Sequence, residues 1–106
     1  EYMKLNVMLA GTTATREVDA KPYIYKNISF FSHKNMNNEK LWSISELNTG
    51  MVLFHAGEKS EKKAIEKAKE IIDGVTVEKM NDIINSQVSK YGYTNNITMM
   101  SIKNIA

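Results

Sequence analysis

Residues of the types that carry chemistry are few and scattered in this chain. Neither His33 nor His55, each near the end of a predicted strand, has another histidine three or four positions away to complete a metal site. The serines and threonines form no nucleophile-elbow pattern, and no two carboxylates define an acid/base pair. The lone glycine, Gly11, after a predicted strand is far short of a phosphate-binding loop. We therefore expect no catalytic residue, metal or cofactor, and we interpret both histidines as strand-end or surface residues.

Two sets of residues are candidates for binding instead. Lys59, Lys62 and Lys63 lie at the start of a predicted helix, where lysines and the helix dipole can hold a phosphate backbone. Tyr23 and Tyr25 alternate with an isoleucine on a predicted strand and are the aromatic residues best placed for exposure, as a stacking platform for single-stranded nucleic acid requires. The alternatives are a solvated helix face of mixed charge for the lysines and a place in the core for the aromatic residues.

Composition restricts the possible partners only weakly. The net charge of +2 neither demands nor excludes nucleic acid, although a single arginine, Arg16, among 14 basic residues disfavours base-specific reading of DNA. The chain has no cysteine, and no stretch approaches the ~20 apolar residues that span a bilayer. We expect one cytoplasmic domain over residues 1–106 without membrane contact. Met3 is a candidate native start, with Glu1 and Tyr2 as added residues or the end of a longer leader.

The stretch Leu41–Ile72 indicates the fold class. Trp42–Glu46 alternates apolar and polar residues as a half-buried strand does, residues 48–50 suit a three-residue turn with glycine in the left-handed position, and Met51–Ala56 follows as the next strand. This register would place Ile44 opposite Phe54, whereas a two-residue turn would place it opposite Leu53. We favour the first register because it gathers four large apolar residues on one face: Trp42, Ile44, Val52 and Phe54.

Two capped helices are predicted after this hairpin. Ser60 is the candidate N-cap of the first helix, and Gly74 its candidate left-handed end. The second helix is predicted over Val77–Tyr91, between Thr76 as the N-cap and Gly92 as the end. Both segments carry apolar residues at helical spacing, so each helix has one face for the core.

The remaining segments complete the predicted element order. Met3–Ala10 is predicted as a first strand and Tyr23–His33 as a second, with a loop over Gly11–Lys21 and a turn over Lys34–Lys40. The period of the apolar tail, Asn95–Ala106, is ambiguous between strand and helix.

These elements predict an α+β fold, in which an antiparallel sheet of three to four strands has two C-terminal helices, Ser60–Asp73 and Val77–Tyr91, packed on one face. The predicted core consists of the apolar residues that would face each other across that interface: Ile28, Phe30, Trp42, Ile44, Val52, Phe54, Ala64, Ile65, Ala68, Ile72, Met80 and Ile84.

Residues 23–72 resemble two known modules. In the HicB-like antitoxin domain, a tyrosine-containing strand and a strand led by an aromatic residue precede a helix start of glycine, an acid and threonine; the matching residues are Tyr25, Trp42, Gly57, Glu58, Ser60, Ala64 and Ala68. The last helix of the double-stranded RNA-binding domain starts Ser-Lys-Lys-x-Ala; Ser60, Lys62, Ala64 and Ala68 match it, with Glu61 in place of the first lysine. Both resemblances imply a three-stranded sheet with a helix on one face. The first implies toxin neutralisation and the second RNA binding. The extra first strand, and the lack of a leading helix, depart from these patterns.

We expect a small non-catalytic binding or regulatory protein, encoded by a phage or mobile element, that acts through protein–protein contact. The alternative is an RNA- or DNA-binding module that uses Lys59, Lys62 and Lys63, and a small enzyme is a distant third. A homodimer is expected because the first strand has apolar residues on both faces, and because the tail and Leu53 add apolar surface that two helices on one face cannot cover.

Overall fold

Four antiparallel strands precede two helices, which confirms the predicted α+β class. The computed structural model describes residues 2–9, 14–54, 56–92, 94 and 96. Its elements are β1 (Met3–Met8), β2 (Thr15–Tyr25), β3 (Ile28–Lys34), β4 (Trp42–Glu46), α1 (Glu61–Val75) and α2 (Val77–Tyr91). The strands lie in the order β1-β2-β3-β4, so each strand pairs with its neighbour in sequence. The predicted end of the first strand at Ala10 and the tail residues 97–106 lie outside the described residues.

A tight turn at Lys26-Asn27 divides the segment predicted as one strand, Tyr23–His33, into the end of β2 and β3. Both turn residues have positive φ, 51° and 66°, as the two central residues of a type I′ turn require. The prediction was wrong because Lys26-Asn27 contains neither Gly nor Pro and lies between two runs of strand-forming residues. The predicted loop Gly11–Lys21 is also wrong from Thr15 onward, since Thr15–Lys21 belongs to β2.

The helices and the strands enclose a first apolar cluster on one face of the sheet. Its buried members come from β3, β4, both helices and the segment before α1: Ile28, Phe30, Ile44, Phe54, Ala64, Ala68, Ile72, Met80 and Ile84. All nine belong to the predicted core. The other predicted members, Trp42, Val52 and Ile65, are only half-buried.

A second apolar cluster lies on the opposite face of the sheet. Its buried members are Leu5, Val7, Ala20, Phe31 and Leu47. Since β1 pairs with Thr15–Ala20 and β3 pairs with Lys21–Tyr25, the two ends of β2 serve different neighbours. The chain therefore covers much of this face itself with β1, and the apolar residues of β1 do not require a second copy. The homodimer stays a prediction.

The segment after β4 does not form the predicted strand. Val52 makes a single bridge with Ser45, and the amide of Leu53 donates to the carbonyl of Ile44 at 2.9 Å, so that the register pairs Ile44 with Leu53 and not with Phe54. Val52 packs against the second cluster and Leu53 against the first, which reverses their predicted faces. Phe54 nevertheless reaches the first cluster.

The turn after β4 explains this register. The buried carboxylate of Glu46 accepts hydrogen bonds from the amide of Asn48 at 2.7 Å and from the amide and hydroxyl of Thr49 at 2.9 and 2.8 Å. Gly50 follows with φ 71°, and a Cβ there would lie 2.8 Å from the carbonyl oxygen of Asn6. A side-chain cap and a glycine in close contact with β1 therefore set the turn, and neither is visible in the apolar pattern.

The helix caps agree with the prediction at three of four positions. Ser60 accepts from the amide of Lys63 at 3.1 Å, Thr76 accepts from the amide of Lys79 at 3.3 Å, and Gly92 ends α2 with φ 81°. The fourth position, Gly74, was predicted to end α1 in a left-handed conformation. It lies inside α1, and Thr76 has the positive φ, 69°, because this residue both follows α1 and caps α2.

The connection between β3 and β4 is a loop over residues 35–41; the sequence predicted it over Lys34–Lys40, but Lys34 is the last residue of β3. The side-chain oxygen of Asn35 accepts from the amides of Asn37 and Asn38 at 2.9 and 3.1 Å. Over the described ranges, no helix is long and apolar enough to cross a membrane.

Candidate functional site

The predicted lysines and Tyr25 lie at opposite ends of α1. Lys59, Lys62 and Lys63 are exposed around its N-terminal end, whereas Tyr25 donates its hydroxyl to the carboxylate of Asp73, two residues before the last residue of the helix, at 2.9 Å. At 1.5 Å per residue, these ends are ~20 Å apart. The structure therefore separates the lysines from Tyr25, whereas Tyr23 lies nearer the helix start, two residues along β2 from the strand partner of Ser32, which donates to Glu61.

The two tyrosines, the candidates for exposure, are half-buried and pack against the first cluster, which agrees with the alternative that places the aromatic residues in the core. Tyr23 stacks on Phe30 with 5.9 Å between ring centroids, because both rings point to the face that the helices cover. The ring of Tyr25 lies 5.4 Å from the ammonium groups of both Lys26 and Lys69. Each ring already has partners within the chain, which weakens the case for a base-stacking platform.

Asp73 joins the β2–β3 turn to the end of α1. Its carboxylate accepts from Lys26 and from Tyr25, and these two hydrogen bonds lower the pKa of Asp73. The same hydrogen bonds to Asp73 raise the pKa of Lys26 and of Tyr25. All three groups are on the surface, so we interpret the cluster as a link between two elements.

The basic start of α1 also contains a carboxylate with partners inside the chain. Glu61 accepts from the hydroxyl of Tyr2 at 2.6 Å and from that of Ser32 at 2.9 Å, and the first of these bonds raises the pKa of Tyr2 to about 12. An acidic side chain in the first turn already complements the helix dipole, which a bound phosphate would otherwise do. The three lysines thus surround a local negative charge.

Trp42, half-buried beside this helix start, contacts two neighbouring side chains. Tyr2 stacks on it with 6.3 Å between centroids, and the ammonium group of Lys34 lies 4.1 Å from its ring. This aromatic and cationic group was not anticipated as a unit, since its members come from three separate segments.

His33 is a buried hydrogen-bonding residue rather than a surface one. It lies near the end of β3 as predicted, but its side chain has no exposed surface. Its Nδ1 lies 2.7 Å from the carbonyl oxygen of Lys34, which can only accept, so Nδ1 donates and Nε2 accepts from the hydroxyl of Ser45 at 2.8 Å. Burial lowers the pKa of His33, which favours this neutral form. His55 lies outside the described residues.

No group of three or more histidine, cysteine or acidic side chains is arranged to hold a metal ion in the part of the chain that the structure describes. A charged groove of about 330 Å³ along α1 is lined by Glu58, Lys63, Glu66, Lys67 and Glu70. Its alternating signs are those of the solvated helix face that the sequence predicts.

An apolar groove of about 370 Å³ lies at the β2–β3 hairpin, lined by Pro22, Tyr23, Ile24, Ser29 and Leu47. Ile24 pairs with Ser29, whose carbonyl accepts from the amide of Leu47 at 2.9 Å, so the three residues form a row across the sheet. This row is on the face opposite the helices. β1 covers the Leu47 end of this row, where Leu47 is 6% exposed. The other end is uncovered, and Ile24 is 75% exposed.

The sequence offered one signal for this groove that was not used. Pro22 has no amide hydrogen to donate to a neighbouring strand. Within a sheet, proline is therefore confined to edge strands, strand starts and bulges. Among the described pairings, β1 joins β2 only over Thr15–Ala20, so β3 is the only paired neighbour of the segment with Pro22 and Ile24. Pro22 and Ile24, two residues apart, share the face away from Tyr23 and Tyr25, which is consistent with an exposed apolar edge.

Comparison with known proteins gives no match, since no family model, no curated protein and no solved structure is significantly similar to the chain. The resemblance to the HicB-like and double-stranded RNA-binding modules stays a prediction. The fold defines a small α+β domain, in which a four-stranded antiparallel sheet has two C-terminal helices on one face.

Proposed function

We propose that this chain is a small non-catalytic binding protein that contacts another protein through the groove at Ile24. The exposure of this isoleucine carries the proposal. A strand isoleucine that is 75% exposed beside an apolar groove leaves surface in water that a partner can bury. Full burial of one such side chain contributes about 1.5–3 kcal/mol.

The surroundings of Ile24 fit a protein partner better than a nucleic acid. The groove is lined mainly by apolar atoms of a proline, an isoleucine and a leucine, and interfaces place such residues at their centre with a polar rim. Nucleic acid instead requires cations along the contact surface. The three exposed lysines are at the N-terminal end of α1, where Glu61 already occupies the first turn.

Binding to an identified partner tests this proposal. A protein captured by the chain from cells of its own source would be identified, purified and titrated against wild type and variants by calorimetry. Ile24→Asp is expected to weaken binding at least about tenfold, because it places a charge in the apolar contact. Ile83→Asp is the matched control, since Ile83 is an exposed isoleucine on α2, 39% exposed. Equal affinities for wild type and Ile24→Asp would contradict the proposed surface.

The nucleic-acid alternative has its own titration. Single-stranded and duplex RNA and DNA would be titrated at two salt concentrations against wild type and a Lys62→Glu/Lys63→Glu variant. Micromolar affinity that falls steeply with salt and is lost in the double variant would replace the protein-binding proposal. Unchanged weak binding in both proteins would remove the alternative.

A further inference from the structure

The last described residues attach the C-terminal part of the chain to two distant backbone segments. The side-chain oxygen of Asn96 accepts from the amide of Asn6 at 2.6 Å, and its amide nitrogen donates to the carbonyls of Asn6 and Leu47, both at 3.0 Å. The amide of Thr94 donates to the carbonyl of Asn48 at 2.8 Å, and its hydroxyl donates to that of Leu47 at 3.1 Å. The Asn96 side chain is fully buried.

The side chain of Asn96 pairs with the backbone of Asn6 in β1 as a residue of a neighbouring strand would. A primary amide offers one acceptor and two donors, so it can satisfy both the N–H and the C=O of one residue as a paired strand does. Nearby, the amide of Met8 donates to the carbonyl of Gly50 at 2.8 Å. These two contacts join the outer edge of β1 to the turn after β4.

The contacts of Thr94 and Asn96 also reach Leu47, a residue that lines the apolar groove. The side chain of Leu47 lines the groove, while its carbonyl accepts from both Thr94 and Asn96. β1 contributes Leu5 and Val7 to the cover over Phe31 and Leu47. We propose that Thr94 and Asn96 form a latch that holds β1 on the sheet, and that its release lets β1 move away and extends the apolar groove from Ile24 towards Phe31.

Opening at the latch would break the contacts of Met8 with Gln87 and of Tyr2 with Glu61, but it would leave the buried packing of the first cluster in place. The first cluster, with both helices, lies on the opposite face of the sheet and shares no buried residue with the second. Proteins commonly open in such local units at a lower free energy than global unfolding requires. That the latch opens is independent of the proposed function, and only the use of the enlarged groove by a partner rests on it.

Amide hydrogen exchange measured by NMR tests the latch without any partner. In Asn96→Ala, the Met8 amide is expected to exchange at least about tenfold faster than in wild type, because three hydrogen bonds of the latch are lost. Met8 is the informative amide, since its own bond to Gly50 is not removed by the substitution. The amides of Ala68 and Ile72 in α1 are expected to keep their wild-type rates. Asn85→Ala, at an exposed position on α2, is the control and should change neither group.

A second variant covers the case in which Asn96→Ala does not fold. Thr94→Val removes the hydroxyl contacts with almost no change in shape, and a smaller acceleration confined to Met8 and its neighbours is expected. Two results would contradict the proposed latch: amide exchange of Ala68 and Ile72 accelerated by the same factor as that of Met8, or an unchanged exchange rate of Met8 in a folded variant. Neither result would bear on partner binding at Ile24, which the calorimetric titration measures separately.

Discussion

The two faces of the sheet are held in different ways. On the helix face, nine buried apolar residues pack against each other, and the buried hydroxyl of Ser32 donates to Glu61 of α1. On the other face, five buried apolar residues lie among buried polar ones, including His33 and Ser45, and the edge is closed by the amide of Asn96. No buried side-chain nitrogen or oxygen in the described residues lacks a hydrogen-bond partner. The helix face thus has the larger apolar cluster, whereas on the β1 face the His33–Ser45 hydrogen bond and the contacts of Asn96 add to a smaller one.

Substitutions at the adjacent residues Phe30 and Phe31 compare the two faces with the largest expected effects. Both side chains are fully buried, and they lie on opposite faces. Each substitution by alanine is expected to lower the free energy of unfolding by about 3–5 kcal/mol, through lost apolar contacts and the cavity left behind. Urea denaturation measures both. A loss below about 1 kcal/mol for either variant would show that its face collapses around the cavity or contributes little.

Gly50→Ala tests the close contact on the β1 face. The substitution strains a residue at φ 71° and brings a Cβ to 2.8 Å from the carbonyl oxygen of Asn6, so we expect a loss of about 2–3 kcal/mol. Gly92→Ala is the matched control, with φ 81° and open space around the new Cβ, and should lose only about 1 kcal/mol. Equal losses in urea denaturation would mean that the approach of β1 to the turn contributes nothing.

His33 makes the β1 face sensitive to acid. Burial lowers its pKa in the folded protein from the ordinary value of 6.5, so the unfolded chain takes up the proton first as the pH falls. The stability from the neutral residue is complete above pH 6.5 and decreases below it, by at most about 1.4 kcal/mol per pH unit, until the lowered folded pKa is reached.

The His33→Gln variant isolates this contribution, because glutamine has no proton to gain in that range. Unfolding free energies of wild type and variant would be measured between pH 7.5 and 5, and the difference between the two proteins should shrink as the pH falls. A difference that stays constant over this range would show that His33 does not cause the acid sensitivity.

The smallest expected effect belongs to the helix side. Gly74 lies inside α1, is exposed, and a Cβ at its position would meet nothing within 4 Å. Gly74→Ala should therefore stabilise the protein by about 0.5–1 kcal/mol through higher helix propensity. Thermal unfolding followed by circular dichroism would show an increased midpoint. A decreased midpoint would mean that the end of α1 needs the freedom of glycine, as the sequence alone had indicated.

The helices were predictable because their determinants are local. Ser60 and Thr76 each cap a residue three positions later, and Val77–Tyr91 has the bounds that its caps predict. The apolar spacing within these helices also identified their side of the first cluster. All nine buried residues of that cluster were predicted, eight of them because a helical stripe and a half-buried strand each show their inward face in a short window of sequence. The ninth, Phe54, was predicted from a strand that does not form, and it reaches the cluster by another path.

Only the tertiary structure decided the other face and the candidate site. Alternation along a strand is the same whichever neighbour it pairs with, so it could not show that Lys26-Asn27 is a turn or that Thr15–Lys21 extends β2. Alternation made Tyr23 and Tyr25 the candidates for exposure. The helices, which come later in the sequence, pack over these tyrosines, and Ile24 on the opposite face is exposed. The contacts of Asn96 join residues 49 and 90 positions apart, and no local pattern encodes such a pairing. Short-range caps and periodicity determined the helices, whereas the groove and its latch depend on which distant segments meet.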